Sequence, residues 1–592
     1  MINMPKKAKK KPASRKSKKP ETKPQTIAQN KTQSTIIILL FFIIFILGTH
    51  FRIHQYGIEG GLSYDTFMLI AGGVLWFHPH DFFPGLVQMY PPVAHQIIGY
   101  GCMQSGADFS DSSKLRPNYL INIPALIGKS FTEAENYCIL PNYIAAILLF
   151  IGLIALGLSL LDKKSALYHA AFYAFLPVII WWGRTIYIDV FVWLFTVYGL
   201  LFLWLSYKSK LGSKIEIICA IIAFGLFGLA LATKLTAGIY LPFAILIILE
   251  KYKNKMNFSK GNAKVPVPLI KTLIAAIISF TIITMAPYQF NPKNLIDVYT
   301  MHSQWHSNET SFSITTNGLE FLYDIMYRIN SIDIIIFLLS FYILIKIIQK
   351  KNKKPNEKYI LYLYLLGLFT ITTSGALGPT LGRRTMLFFF GVPLMMSLIF
   401  SNESYSIIKY MERKKITQKT INSCFIILMI TYIIHASSIL QPISPHYLIY
   451  SNPVMCNIDN GTHCTHNYKP IWKTIATQLN TTLAENETFY DADNRVSIYM
   501  YLRHEDGYII WQIKQSYKSQ TGRDITTKEL KHYFNYNGRK IRYLVIHSLE
   551  NRKGDIAEIV ENYTPDHIVK IKNHPVSYIY DLDKIYPEKS TE

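Results

Sequence analysis

Residues 35–49 read TIIILLFFIIFILGT, an uncharged apolar run that follows a tail in which Lys6, Lys7, Lys9, Lys10, Lys11, Lys16, Lys18 and Lys19 stand against the single acid Glu21. The hydrocarbon core of a bilayer needs about 20 apolar residues to be crossed as a helix. No small-residue cleavage site follows the run, so it reads as a retained signal anchor, with the basic tail as a disordered cytoplasmic arm able to touch anionic lipid.

The same pattern recurs along the 592 residues, half of which are hydrophobic. Apolar blocks near 35–50, 141–161, 166–183, 187–206, 214–232, 236–250, 268–286, 331–348, 359–380, 385–401 and 420–440 predict about eleven transmembrane helices. Walking them from a cytoplasmic N-terminus puts Lys163 and Lys164, Lys208 to Lys214, Lys251 to Lys271, Lys350 to Lys358 and Lys409 to Lys419 in inside loops. Positive-inside sorting asks for that alternation, and it accounts for a net charge of +23 that would otherwise point to nucleic acid. No nucleic-acid partner is therefore expected.

The expected organisation is a basic tail over 1–33, a transmembrane domain over 34–440 with long outer loops near 51–140 and 287–330, and an extracytoplasmic α/β domain over 441–592. In the first outer loop, 64–77 reads as an amphipathic helix lying in the interface, and a second helix is expected after Pro92, since proline suits a first turn. In the last domain, 471–483 and 527–534 read as helices, while 488–490, 508–511, 542–546 and 567–571 read as strands. Cys102 and Cys138 fall in the first outer loop and Cys456 and Cys464 in the C-terminal region; they are either two disulfides on an oxidising face or four unpaired thiols.

Four short segments on the predicted outer face carry the functional signal. They are Tyr64-Asp65-Thr66, Tyr90-Pro91-Pro92-Val93, the Arg184 to Asp189 segment RTIYID, and GLALATK ending at Lys234. A fifth is Gly382-Arg383-Arg384-Thr385-Met386 leading to Pro393. In order and topology this set, over roughly 35–440, resembles the GT-C superfamily of polyprenyl-phosphate-sugar-dependent glycosyltransferases, in particular its protein mannosyltransferase-like and aminoarabinose-transferase-like branches. The chain departs from those branches at Thr66, where the second acid of an Asp-Glu pair is expected, and at Met89-Tyr90, where the aminoarabinose branch has Glu-Lys. It also lacks the Trp-Trp-Asp-Tyr-Gly motif of oligosaccharyltransferases.

The resemblance implies an inverting membrane glycosyltransferase of the cell envelope, working at the lipid–water boundary outside the plasma membrane of a prokaryote. It would move a hexose or pentose from a dolichyl or undecaprenyl phosphate to a glycan, glycolipid or protein. Such a transfer needs a base for the acceptor proton and cations for the leaving phosphate. Asp65 is the expected base, with a helix N-cap as the alternative. Asp189 is expected to orient the acceptor or hold a divalent ion, with a membrane-edge ion pair to Arg184 on the same helix as the alternative.

Lys234, Arg383, Arg384 and Arg184 are the expected phosphate binders, because cations on the outer face run against the positive-inside bias. His80, Asp81 and His95, and the i, i+4 pair His302 and His306, are candidate contacts for acceptor or metal, with Mg²⁺ or Mn²⁺ fitting phosphate chemistry better than zinc. The rival reading is a transporter or flippase for a lipid-linked sugar; against it, the charged candidates gather at one face and no internal repeat appears.

Overall fold

The computed structural model describes residues 24–54, 69–70, 72–74, 77, 91–107, 119–259, 262–307, 329–376, 388–443, 472–492, 504–547, 554–571 and 574–587. The chain is an integral multi-pass membrane protein: among the described residues, eight helices are long and apolar enough to cross a bilayer. Backbone groups cannot be hydrated in hydrocarbon, so helices that satisfy them internally are the form open to such sequences.

The helices of the membrane domain run in chain order as α1 (Pro24–Ile53), α2 (Pro92–Met103), α3 (Tyr119–Leu160), α4 (Lys163–Ala174), α5 (Pro177–Arg184), α6 (Asp189–Lys208), α7 (Lys214–Leu231) and α8 (Tyr240–Tyr252). They continue as α9 (Val267–Met285), α10 (Pro292–Ser307), α11 (Ser331–Gln349), α12 (Pro355–Ala376), α13 (Phe388–Ser397), α14 (Ile407–Arg413) and α15 (Gln418–Ile443). A short hairpin of β1 (Asn257–Ser259) and β2 (Asn262–Lys264) joins α8 to α9.

Three expectations about this domain change. The 166–183 block is two helices, α4 and α5, broken at Leu176-Pro177. Pro177 has no N–H to continue α4 and instead opens α5, and both pieces pack on α1 and α3, so together they occupy the place of one span. The last part of the expected first outer loop is helix, because α3 runs from Tyr119 and extends beyond the membrane-length stretch Ala134–Leu160. Leu69, Ile70 and Val74 of the segment expected to lie flat in the interface are buried in the core of the membrane domain.

The two ends of the bundle differ in chemistry. At one end, loops far apart in sequence are tied by charge. Lys251 pairs with Glu216 at 3.0 Å, Lys350 with Glu357 at 2.7 Å and Lys358 with Glu250 at 2.8 Å. Lys354 pairs with Glu403, and Lys164 donates to Asn422. The Asn402 amide donates to Asp162 at 2.9 Å, and Asn356 donates to the Leu160 carbonyl at 3.1 Å. These are the segments that charge sorting assigned to one side.

One buried acid joins three helices. Asp333, in the first turn of α11, accepts from Tyr168 of α4 at 2.7 Å, from Tyr432 of α15 at 2.9 Å and from Asn330 at 3.3 Å. The Tyr168 ring also packs at 5.1 Å from Phe400.

The C-terminal unit is a four-stranded sheet in the order β3 (Glu487–Asp491), β4 (Lys540–Ile546), β6 (His574–Asp581) and β5 (His567–Ile571). β3 and β4 are parallel and the other pairs antiparallel. Its helices are α16 (Trp472–Thr482), α17 (His504–Thr521), α18 (Thr527–Tyr533), α19 (Asp555–Asn562) and α20 (Leu582–Ile585). Residues 508–511, expected as a strand, lie inside α17, which supplies the crossover a parallel pair requires and rests against α3. Ile510 is buried there and Trp511 is half exposed, so the apolar run is one side of a helix.

Replacing Tyr168 or Tyr432 with Phe should cost about 0.6 kcal/mol each, the usual size of a hydrogen bond between membrane helices. Asp333→Ala leaves both hydroxyls and Asn330 without their acceptor and should cost roughly 2–4 kcal/mol, read as the larger drop in thermal unfolding temperature in detergent.

Candidate functional site

At the end of the bundle opposite the lysine-rich loops, three of the sequence segments meet. α6 begins at Asp189, whose carboxylate is buried; Lys234, just beyond α7, donates to Asp189 Oδ1 at 2.6 Å. The lysine side chain is 14% exposed against 2% for the acid, so the pair opens on the lysine side. Two charges this poorly hydrated need each other, because an uncompensated buried ion costs far more than the pair.

The Pro91-Pro92-Val93 segment covers the pair's neighbourhood. Pro91 is extended and Pro92 takes the first turn of α2, where a missing N–H removes nothing from the helix. The Val93 amide then donates to the Ala232 carbonyl at 3.2 Å, two residues before Lys234. Val93, Ala232, Tyr288 and Val298 pack together there. α2 is held from two further sides. Cys102 is joined to Cys138 of α3 by a disulfide, and Gly99 meets Gly73 so closely that a Cβ on either would overlap the other's backbone. The residues following the Tyr64-Asp65-Thr66 segment are thereby seated on α2.

Arg184 and Asp189 do not share a helix. Arg184 ends α5, Asp189 starts α6, and the connection between them is held when Asn142 donates to the Tyr187 carbonyl at 2.8 Å. Arg184 is buried, with Nη1 donating to the Phe51 and Arg52 carbonyls at 3.3 and 3.0 Å and its guanidinium 5.6 Å from the Tyr143 ring. It therefore caps the C-terminus of α1, where the helix dipole favours a cation.

Arg52, which the sequence reading passed over, is equally buried: it donates to Gly48 and Tyr173 carbonyls at 2.7 and 2.9 Å and lies 4.2 Å from the Phe150 ring. Its place just after the anchor, against the charge bias, was the available signal.

His95 is buried, and its Nδ1–H donates to the Pro91 carbonyl at 3.2 Å. Burial lowers its pKa to about 4, so the ring is neutral at pH 7. His302 and His306 both lie on α10, which sets them one turn apart. Among the described residues, no three His, Cys, Asp or Glu side chains group as a metal site. Of the candidate ligands whose surroundings are described, His95 donates through Nδ1 to the Pro91 carbonyl and Asp189 is paired through Oδ1 with Lys234. Asp65, His80, Asp81, Arg383, Arg384, Cys456 and Cys464 lie outside the described residues.

A second buried polar pair, unanticipated from sequence, sits at the carboxyl ends of β3 and β4: His547 Nε2 is 3.1 Å from Asp491 Oδ1, both enclosed. Parallel strands bring their ends together, which is why residues 56 apart meet there.

No family model and no curated protein matches the sequence. Among solved structures, the chain is similar to ArnT from Cupriavidus metallidurans in the apo state, at 10% identity over 92% of this chain and 98% of that one, with a TM-score of 0.48. It is also similar to the same protein bound to undecaprenyl phosphate, at 12% identity over 92% and 97% with a TM-score of 0.45. A third similarity is to the archaeal oligosaccharyltransferase AglB from Archaeoglobus fulgidus in complex with an inhibitory peptide and a dolichol-phosphate, at 13% identity over 86% and 69% with a TM-score of 0.40. Likeness at this level leaves the functional reading to the residues.

Asp189→Asn alone should lower stability by about 3–5 kcal/mol by stranding Lys234, and the double change Asp189→Asn with Lys234→Met should recover most of it, measured as thermal unfolding in detergent. Because His95 is held at about 4 against 6.5 when exposed, the unfolded chain binds the extra proton between those values. Stability should therefore fall as pH drops from about 6.5 to about 4, and His95→Asn should flatten that part of the unfolding-temperature profile.

Proposed function

We propose that the chain is a glycosyltransferase acting at the non-cytoplasmic face on a sugar carried by a polyprenyl phosphate. The observation that carries this reading is the buried Asp189–Lys234 pair at the end of the bundle away from the lysine-rich loops, with the Pro91-Pro92 helix start tied to the chain two residues before Lys234. Sequence motifs that define the resemblance thus adjoin one another across about 140 residues of chain, as Val93 to Ala232 records.

In this reading the acceptor hydroxyl or amide attacks the anomeric carbon in line. The bond from that carbon to the phosphate oxygen breaks, and Asp65 takes the acceptor proton. The polyprenyl phosphate leaves with its charge met by Lys234 together with Arg383 and Arg384. Asp189 holds the Lys234 ammonium in place through the 2.6 Å contact, a positioning role suited to an acid whose own surroundings are closed. Arg184, engaged on the α1 carbonyls, is assigned to holding the frame, a change from the phosphate role expected for it.

Asp65→Asn should reduce sugar transfer from polyprenyl-phosphate donors in membranes by about a hundredfold or more at normal expression. The Asp189→Asn with Lys234→Met double variant should regain stability without regaining transfer, which separates a working lysine from a structural ion pair. Unchanged transfer in Asp65→Asn, or liposome transport of a labelled lipid-linked sugar with no new glycosidic bond, would sink the enzyme reading.

A further inference from the structure

The membrane domain carries a cavity of about 600 Å³ away from the site above, between α8 and α12, within the roughly 300–1,000 Å³ range of ligand pockets. Its wall is apolar: Pro242, Leu246 and Leu249 face Leu365, Leu366 and Phe369. Leu246, Leu365 and Phe369 are exposed, which opens the cavity sideways at hydrocarbon depth. The charged lining residues, Glu250 and Lys253, both lie at the lysine-rich end. Glu250 is already met by Lys358 at 2.8 Å, and Lys253, 3.9 Å from the same acid, keeps its side chain 71% exposed. Two lysines against one glutamate leave the mouth with one net positive charge, and exposed Lys255 adds to it.

An apolar groove open to the side, with a cationic mouth at one end, fits one kind of occupant. We propose that it holds an acyl chain of an anionic glycerophospholipid from the leaflet at the lysine-rich end, with the phosphate at Lys253. The polarity separates this lipid from the glycosyl donor: a donor phosphate at Lys234 would sit roughly 30 Å away, at the other end of the same helical segment. The assignment does not depend on the transferase reading. It treats the cavity as a built lipid site, distinct from the general annulus, because the annulus has no reason to prefer one headgroup charge.

The test uses full-length protein in nanodiscs of equal phosphatidylglycerol and phosphatidylcholine, followed by detergent release and native mass spectrometry. Wild type should retain one phosphatidylglycerol with about fivefold preference over phosphatidylcholine. Leu246→Trp, on an exposed position that fills the cavity, should lose that adduct. Lys253→Glu should keep the fold and abolish the preference. Equal retention by wild type and both variants would overturn the proposal. So would displacement of the bound lipid by added polyprenyl phosphate, which would mark the groove as a donor-tail site. Sugar-transfer activity enters neither readout, so a failed transferase assignment leaves this result intact.

Discussion

The hydrocarbon layer's inability to solvate a charge or a bare peptide group is the constraint on which the rest of this molecule depends. It forces the backbone into helices, clears ionic side chains from the middle of each span, and concentrates them at the two ends. Among the described residues, charges that remain inside find partners: Asp333 has three donors, and Arg52 and Arg184 are turned onto backbone carbonyls. These contacts are few, but each ties together helices that are distant in sequence.

The same constraint makes the two ends unequal. At the lysine-rich end the charges pair with one another across loops and leave exposed lysines over. At the opposite end the Asp189–Lys234 pair lies near α2, which is itself fixed through a disulfide, a glycine–glycine contact and a backbone hydrogen bond to Ala232. Three independent attachments fix a helix of 12 residues beside the segment that leads to Lys234. A donor entering from lipid and an acceptor entering from water would meet such a boundary from opposite sides.

Much of this was legible one residue at a time. Many membrane-length helices followed from apolar length, and the start of α2 from Pro91-Pro92. The convergence of Val93, Asp189 and Lys234 was anticipated only through a resemblance of ordered motifs, since nothing in residue spacing links positions that far apart. The reading failed where local pattern is degenerate. An apolar quartet such as 508–511 suits a strand or one side of a helix, and only packing against the sheet and α3 selects the helix. Arg184 and Asp189 had a plausible same-helix spacing, yet the helix breaks between them.

By itself, then, the sequence determined that this chain spans a membrane many times and where along it the charges between spans gather. Those properties are set by transfer free energies that act on each segment independently of its neighbours. Tertiary structure decided the pairings: that Lys234 meets Asp189, that Arg184 serves α1, that Asp333 binds two tyrosines, and that α8 and α12 leave a cavity between them. Pair contacts depend on how whole helices pack, and no local pattern of residues encodes the distance between two of them.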